Sequence, residues 1–413
     1  MKPNLVISCP ATSRSGYGDH SRDLIRSLIA MDKFNIQILD QRWGSCGRDA
    51  LTSKDTDISN RILLGKLNSQ PDIWIQVTVP SEFNPIGKFN IGITAGMETT
   101  MVSPEWLQGI NRMDYILVPS KHSKEAFEKS EYEQKVDGLN VINKLTAETK
   151  IDILFEGLDM EVFNKKPKTK FDLDIKEDFA FLFVGHWLPG DFGHDRKDVG
   201  GMIRTFLETF KNASKRNQPA LILKTSSAGF SVGDREQILK KIAAVKKSVG
   251  SEGLPSIYLI HGDLTQEELN GLYNNDKVRA MISFTHGEGF GRPLLEFSVT
   301  GKPVLYSNWS GHIDFLSEHE IPLIGELQDI HKSAVVEKML IPESKWFYVN
   351  YGYASGAIKD VYKNYKKHLQ KSRKQTQYIK DNFTLDKMTE LFTTQMKNNV
   401  PSFEIKIPKL EEI

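Results

Sequence analysis

Cysteine is nearly absent: the 413 residues hold two, Cys9 and Cys46. So few exclude a disulfide-dense scaffold and make a reducing compartment the simpler reading. Long apolar runs are missing too. No stretch approaches the roughly 18 residues that span a bilayer, and the apolar run in MKPNLVISCP is too short for a signal-peptide core. A cytoplasmic protein without stable membrane association is the expectation. Net charge is also missing, +1 from 54 basic and 53 acidic residues, so no global field steers the chain toward nucleic acid or membrane. A local basic face stays open. There is no short-period repeat, no low-complexity tract, no cluster with metal-ligand spacing, no G-x-S-x-G elbow and no Cys–His pair.

What is present is a soluble globular composition, 39% hydrophobic and 26% charged, in a chain too long for one ordinary core. Short apolar runs alternate with amphipathic stretches. NLVISC (4–9), NIQILD (35–40), DIWIQV (72–77), NIGIT (90–94) and YILVP (115–119) read as strands, with helices at 18–31 and after residue 120. The charged, apolar-poor segment 165–178 reads as a linker. The pattern then restarts. Strands are expected at 179–185, 220–226, 256–262, 280–285 and 303–307, with helices near 198–212, 234–248 and 265–274. Residues 359–383 read as a basic helix, followed by another near 385–397, and 401–413 as a tail or edge strand. This predicts an α/β fold of two Rossmann-like, doubly wound domains facing across a cleft, where ligands bind such sheets.

The stretch THGEGFGRPLLEF (285–297) carries the most chemistry. A buried strand precedes it, and the helix is expected to start near Arg292–Leu294, with Pro293 in its first turn. Gly289 and Gly291 let backbone pass close to a ligand. Unpaired amides at Leu294 and Leu295 suit a phosphate. Glu288 and Glu296 flank the turn, and carboxylates there suit sugar hydroxyls better than phosphate. As plain structure, the same residues make a strand–turn–helix with one solvated and one capping acid. In HDRKDVGG (194–201), Arg196 and Lys197 suit a diphosphate leaving group. Lys224 ends the strand ALILK, at the side of the sheet that faces the cleft. Each of these cations also reads as a solvated charge.

Gly16 and Gly18 lie between a strand and a helix, a turn capped by Ser15 or Asp19. Glu98 follows the strand NIGIT. It reads as an acceptor-side residue and proton acceptor, or as a helix-start acid. His312 reads as a cleft residue or a turn histidine, and His286 adjoins Glu288 and is placed to orient it.

Two glutamates eight positions apart, with GEGFGRPLLE between and TGKPV after, resemble the signature of retaining glycosyltransferases of the GT-B fold, most closely glycosyltransferase family 4. SRSGYGDHSRDLIRSL, ITAGMETTMVSPEWLQGINRMDYILVPSKHSKEAF, LFEGLDMEVF, FVGHWLPGDFGHDRKDVGGMIRTF, LILKTS, IHGDLTQEELNGLYNNDKVRAMISF and YSNWSGHIDFL are similar to further family segments, in the family's order over residues 4–317. SCPATSRSGYGDHSRDLIRSLI also resembles glycosyltransferases encoded by large tailed bacteriophages.

The resemblance implies a metal-independent hexosyl- or pentosyltransferase using a UDP-sugar as co-substrate. There is no Asp-x-Asp before a strand end, which the other large glycosyltransferase fold uses to hold a divalent ion. It implies that Glu296 binds ribose hydroxyls and Glu288 the transferred sugar. Phe290 and Gly291 amides would meet sugar hydroxyls, and Leu294 and Leu295 amides the diphosphate. The Gly16–Gly18 loop would approach the donor phosphates, with Arg14 and His20 facing the acceptor. The family's usual arginine after "VG" is His186 here, with Lys224 as the compensating cation. The implied domains are 1–165 on the acceptor side and 166–384 on the donor side, with 385–413 packing back on the first. Two acceptors stand open. One is 5-hydroxymethylcytosine in DNA, with residues 363–380 contacting phosphates. The other is a glycan or small molecule. An inactive sugar-nucleotide-binding relative, and a phosphorylase-like or epimerase-like enzyme, are the alternatives.

Overall fold

The computed structural model describes residues 2–135, 142–227 and 229–403. The first half runs β1 (Asn4–Cys9), α1 (Gly16–Met31), β2 (Asn35–Asp40), α2 (Thr56–Ser59), β3 (Ile73–Val77), β4 (Phe89–Ile93), α3 (Pro104–Ile110), β5 (Tyr115–Val118), α4 (Lys121–Lys129), β6 (Tyr132–Lys135), β7 (Ile142–Leu145) and β8 (Ile151–Ile153). Six of these strands form one parallel sheet, ordered β2-β1-β3-β4-β5-β8, and β6 and β7 pair as a hairpin.

The second half runs β9 (Ala180–Val184), α5 (Val199–Phe210), β10 (Ala220–Lys224), α6 (Val232–Val249), β11 (Ile257–Ile260), α7 (Gln266–Asn274), β12 (Val278–Ser283), α8 (Arg292–Ser298), β13 (Val304–Ser307) and β14 (Ile321–Leu323). Its parallel sheet is ordered β11-β10-β9-β12-β13-β14. An antiparallel ribbon follows, β15 (Gly325–Asp329) with β16 (Lys345–Val349), and then α9 (Tyr351–Lys363), α10 (Tyr365–Asn382) and α11 (Leu385–Asn399).

Strands such as β3, buried along its whole length, and β10, buried but for Lys224, are apolar on both faces because helices cover both sides of each sheet. Each sheet reverses direction once, between β1 and β3 and between β9 and β12. Crevices form at the carboxyl ends of strands at such switch points. The loops after β1, β9 and β12 therefore supply most of the residues at issue. Met388, Phe392 and Met396 of α11 are buried among β1, β3 and α1 of the first domain.

Two expectations change. Segment 165–178 is not a free linker: Ile175 is buried, and Phe171 and Leu173 pack on the second core. The odd positions Phe171, Leu173 and Ile175 supply an apolar face that its charged composition concealed. The basic helical stretch breaks at Asn364, which ends α9 and begins α10. The 401–413 expectation lies, from residue 404 on, outside the described residues. No helix among the described residues is long and apolar enough to cross a membrane.

Candidate functional site

The turn between β12 and α8 is built from close approach. Gly291 caps α8 with a left-handed φ of 97°, which a side chain resists. A Cβ on Gly289 would sit 1.7 Å from the Ala95 carbonyl oxygen, and one on Gly287 1.9 Å from that of Glu98. These glycines thus bring the turn against the backbone of the first domain, where the expectation was a ligand. Ser120 Oγ, at the start of α4, donates to the Gly289 carbonyl at 2.7 Å. The amides of Leu294 and Leu295 also differ from expectation. Both point at the Gly291 carbonyl, at 2.9 and 3.4 Å, so neither is unpaired. Phe290 turns its ring into the core against Phe315, leaving only backbone at the turn.

Two buried charge clusters lie on either side of this turn. The first joins Glu98, Arg196, Lys197 and Glu288. Arg196 Nη1 lies 3.3 Å from Glu98 Oε1 and 3.5 Å from Glu288 Oε2, bridging the two domains. Lys197 Nζ binds Glu288 Oε1, and the Glu288 amide donates to Ser310 Oγ at 2.9 Å. Burial pushes the Glu288 carboxyl up, but Lys197 and Arg196 outweigh it and bring it down to about 2. Burial wins at Glu98, which is raised despite Arg196. Burial lowers Lys197 even with Glu288 beside it.

A histidine and a further cation stand nearby. His186 Nδ1 is 3.2 Å from Ser226 Oγ. Burial, then Arg196, Lys197 and Lys224, bring His186 down to about 4, so it is neutral among them at pH 7. Lys224, lowered by burial and supported by Asp263, lies 5.1 Å from the Phe230 ring centre. Asp198 begins α5 with a left-handed φ of 46° and accepts from the Gly201 amide. It also accepts from Tyr351 Oη at 2.8 Å. These contacts hold the loop carrying Arg196 and Lys197 in a backbone shape that costs energy.

The second cluster centres on Arg292. Its guanidinium reaches Asp23 Oδ2 at 2.7 Å, Glu296 Oε1 at 3.3 Å and Glu156 Oε2 at 3.5 Å. Tyr273 Oη donates to Glu296 Oε2 at 3.1 Å. Both oxygens of Glu296 are therefore engaged. One cation serves several buried acids, so burial dominates: Glu296 rises to about 8, Glu156 to about 7, and Asp23 also rises. Sequence reasoning passed over Arg292 and Tyr273. A signal was available: a cation in the first turn of a helix opposes the helix dipole, so Arg292 needs acidic partners.

The other candidates differ in burial and in partners. His20 is buried, with its Nδ1 unpartnered among the described residues. Burial and then Arg292 bring it down to about 3, so it is neutral beside the second cluster. His312 is fully buried and bonds its own loop, Nε2 to the Ser307 carbonyl at 2.6 Å. His286 is clamped between the Phe347 and Gly193 carbonyls at 2.7 and 3.2 Å. Ser15 Oγ caps α1 and takes the Gly18 amide at 3.1 Å, so that amide is not offered to a phosphate. Gly16 is exposed. Arg14 pairs with Asp49 at 2.9 Å. Lys363 at the end of α9 and the α10 lysines at 366, 367, 371 and 374 are exposed, without an ion pair among the described residues. The helix packs on the second domain through Ser372, Gln375 and Thr376, by way of Phe315, Ser317, Glu320 and Ser298. No group of three or more His, Cys, Asp or Glu residues among the described residues is placed to hold a metal ion.

No family model matches the chain, and no curated protein does. Solved structures do. A sucrose-phosphate synthase from Thermosynechococcus elongatus superposes with a TM-score of 0.63 at 11% identity, covering 96% of this chain and 99% of that one. A glycosyltransferase from Rickettsia africae gives 0.62 at 12%, over 96% and 98%. HepE of Anabaena, solved in complex with UDP-glucose, gives 0.58 at 10%, over 96% and 100%. At these identities the likeness is one of fold: two Rossmann-like domains in the GT-B arrangement.

Proposed function

We propose that this chain is a retaining, metal-independent glycosyltransferase that moves a sugar from a UDP-sugar to an acceptor hydroxyl. The observation that carries the reading is the interdomain cluster Glu98–Arg196–Lys197–Glu288, with His186 and Lys224 beside it, at the carboxyl ends of the strands. Arg196, Lys197 and Lys224 together oppose a diphosphate, and charge developing on a leaving group is what fixed donors stabilise best. The fold-mates support the donor class, since one of them was solved with UDP-glucose.

In this reading Arg196, Lys197 and Lys224 meet the diphosphate, and Glu288 and Glu98 turn from their cations to hydroxyls of the donor sugar and acceptor. Glu296 meets the ribose. The acceptor hydroxyl attacks from the face that the diphosphate leaves, and a diphosphate oxygen takes its proton, so the protein supplies position and charge. A two-carboxylate retaining hydrolase would need a nucleophile on the opposite face; same-face attack needs none. Cytoplasmic residence goes with this reading.

The test is incubation with a panel of nucleotide sugars, with mass spectrometry of glycan, small-molecule and hydroxymethylated-DNA acceptors. Retention is read from the anomeric coupling of the product, and metal independence from activity in chelator. An inactive sugar-nucleotide binder would bind UDP yet neither transfer nor hydrolyse.

A further inference from the structure

One aromatic on the first-domain side of the cleft is unused by the mechanism. Trp43, in the loop after β2, stacks on Tyr17 with ring centres 4.0 Å apart and planes at 24°. Tyr17 is fixed in turn. Its hydroxyl accepts from the amides of Ala95 and Gly96 at 3.0 and 3.1 Å, and lies 3.1 Å from Thr94 Oγ1. Those residues lead directly to Glu98. A continuous wall therefore runs from Trp43 through Tyr17 to the Glu98–Arg196–Glu288 cluster.

The loop itself is pinned. The Gln41 amide donates to the Cys9 carbonyl, Arg14 to Gly47 and Ala50 to Thr12, at 2.9 to 3.1 Å. Arg48 pairs with Asp40 at 2.6 Å. It faces the second domain: burial and then Asp263 raise the Cys46 thiol, and Lys224, Arg14, Asp49 and Asp19 all act on Asp263. Trp43 is half-buried, with one face given to Tyr17.

We infer that Trp43 is the acceptor platform, a subsite on which a neutral carbohydrate ring lays its C–H face while directing a hydroxyl toward Glu98. The inference rests on the glycosyl-transfer reading and names its acceptor class. In the step, the acceptor oxygen bonds to the anomeric carbon and the bond from that carbon to the diphosphate oxygen breaks. The electron pair leaves with UDP, and the acceptor proton passes to a diphosphate oxygen. A carbohydrate fits better than a base of DNA because a DNA backbone needs a row of unpaired cations. On this wall Arg14, Arg22 and Arg48 are paired with Asp49, Asp19 and Asp40, and Arg42 beside Trp43 is exposed without an ion pair among the described residues.

The test compares the unaltered chain with Trp43→Ala and Trp43→Phe. Saturation-transfer NMR with neutral methyl glycosides and disaccharides reads acceptor binding alone. Transfer of label from UDP-glucose to the same sugars, and to hydroxymethylated duplex DNA, reads the reaction. UDP titration checks the fold and the donor half. Expected for Trp43→Ala is at least a tenfold rise in acceptor KM and loss of the NMR signal, with UDP affinity within twofold and most of the loss restored in Trp43→Phe. Equal acceptor KM in all three chains, no glycoside binding by the unaltered chain, or label entering DNA but no glycoside would each overturn the platform. Absence of UDP binding and of transfer in the unaltered chain would instead overturn the glycosyl-transfer reading. Glycoside binding lost in Trp43→Ala would still support the platform.

Discussion

The two charge clusters beside the glycine turn are made of the same residue types and behave in opposite ways. Around Glu288, two cations meet two carboxylates, and the central acid is held ionised. Around Arg292, one cation meets three carboxylates, and burial pushes two of those acids up to about 7 and about 8. Burial is nearly complete in both, so desolvation is comparable; the count of cations decides the protonation state. The balanced cluster is fit to exchange partners with an incoming charged ligand. The acid-rich cluster is a clasp between α1, residue 156 and α8.

The sharpest way to break this contrast is Arg292→Met. It leaves Glu156 and Glu296 buried without their cation, and Asp23 with only Arg26 at 3.9 Å. Denaturant unfolding at pH 7.5 should show a loss of about 3–5 kcal/mol, the range for breaking a buried pair from one side. A loss below about 1 kcal/mol would show that the cluster is not holding the domains.

Arg196→Ala and Lys224→Ala should act on rate. In a UDP-release assay each is expected to lower kcat by about 10²-fold, comparable to removing one fixed donor from an oxyanion site. Glu296→Ala should instead weaken UDP affinity. Unchanged kinetics in the first two and unchanged affinity in the third would sink the assignment of the first cluster to the diphosphate and the second to the ribose.

A third comparison uses pH. Folded Glu296 and Glu156 titrate above an ordinary carboxylate, so folding binds protons there. Their favourable contribution is complete below about pH 4.5, the unfolded range, and is lost as pH rises through about 7 to 8. Glu288 is the reverse: its contribution is present above about 4.5 and is lost as pH falls toward 2. Glu296→Gln should therefore flatten the decline in stability between pH 5 and 8, while Glu288→Gln leaves that slope alone. Parallel slopes in both variants would remove the distinction.

The smallest effect is expected at the turn between the clusters. Ser120→Ala withdraws the donor from the buried Gly289 carbonyl, at a cost of about 1–2 kcal/mol. Ser120 Oγ also caps α4 by accepting from the Ser123 amide, so thermal unfolding should show a larger loss than Ser123→Ala, whose hydroxyl lies at a weaker 3.4 Å and whose removal keeps the cap.

The strands with long apolar runs, such as NLVISC and ALILK, could be read directly, because parallel strands covered on both faces leave no polar alternation to confuse them. Short strands could not. Ile151–Ile153 and Ile321–Leu323 are three residues each, and complete their sheets by pairing with strands already laid down. The ribbon β15–β16 was missed because β15, GELQD, is exposed along its length and carries almost no apolar signal. Its partner positions Phe347 beside His286.

By itself, the sequence determined the two βα series, the start of α8 at its Gly-Arg-Pro, and the set of acids and cations near the cleft, since strand periodicity and turn chemistry are local. Only the tertiary structure decided which charges pair. Glu98 and Glu288 come from different domains and meet through one guanidinium, whereas Glu296 turns away to Arg292 and Tyr273. Protonation in a dry interior depends on every charge within a few ångströms, and the partners that cross between the domains lie roughly 90 to 270 residues apart in the chain.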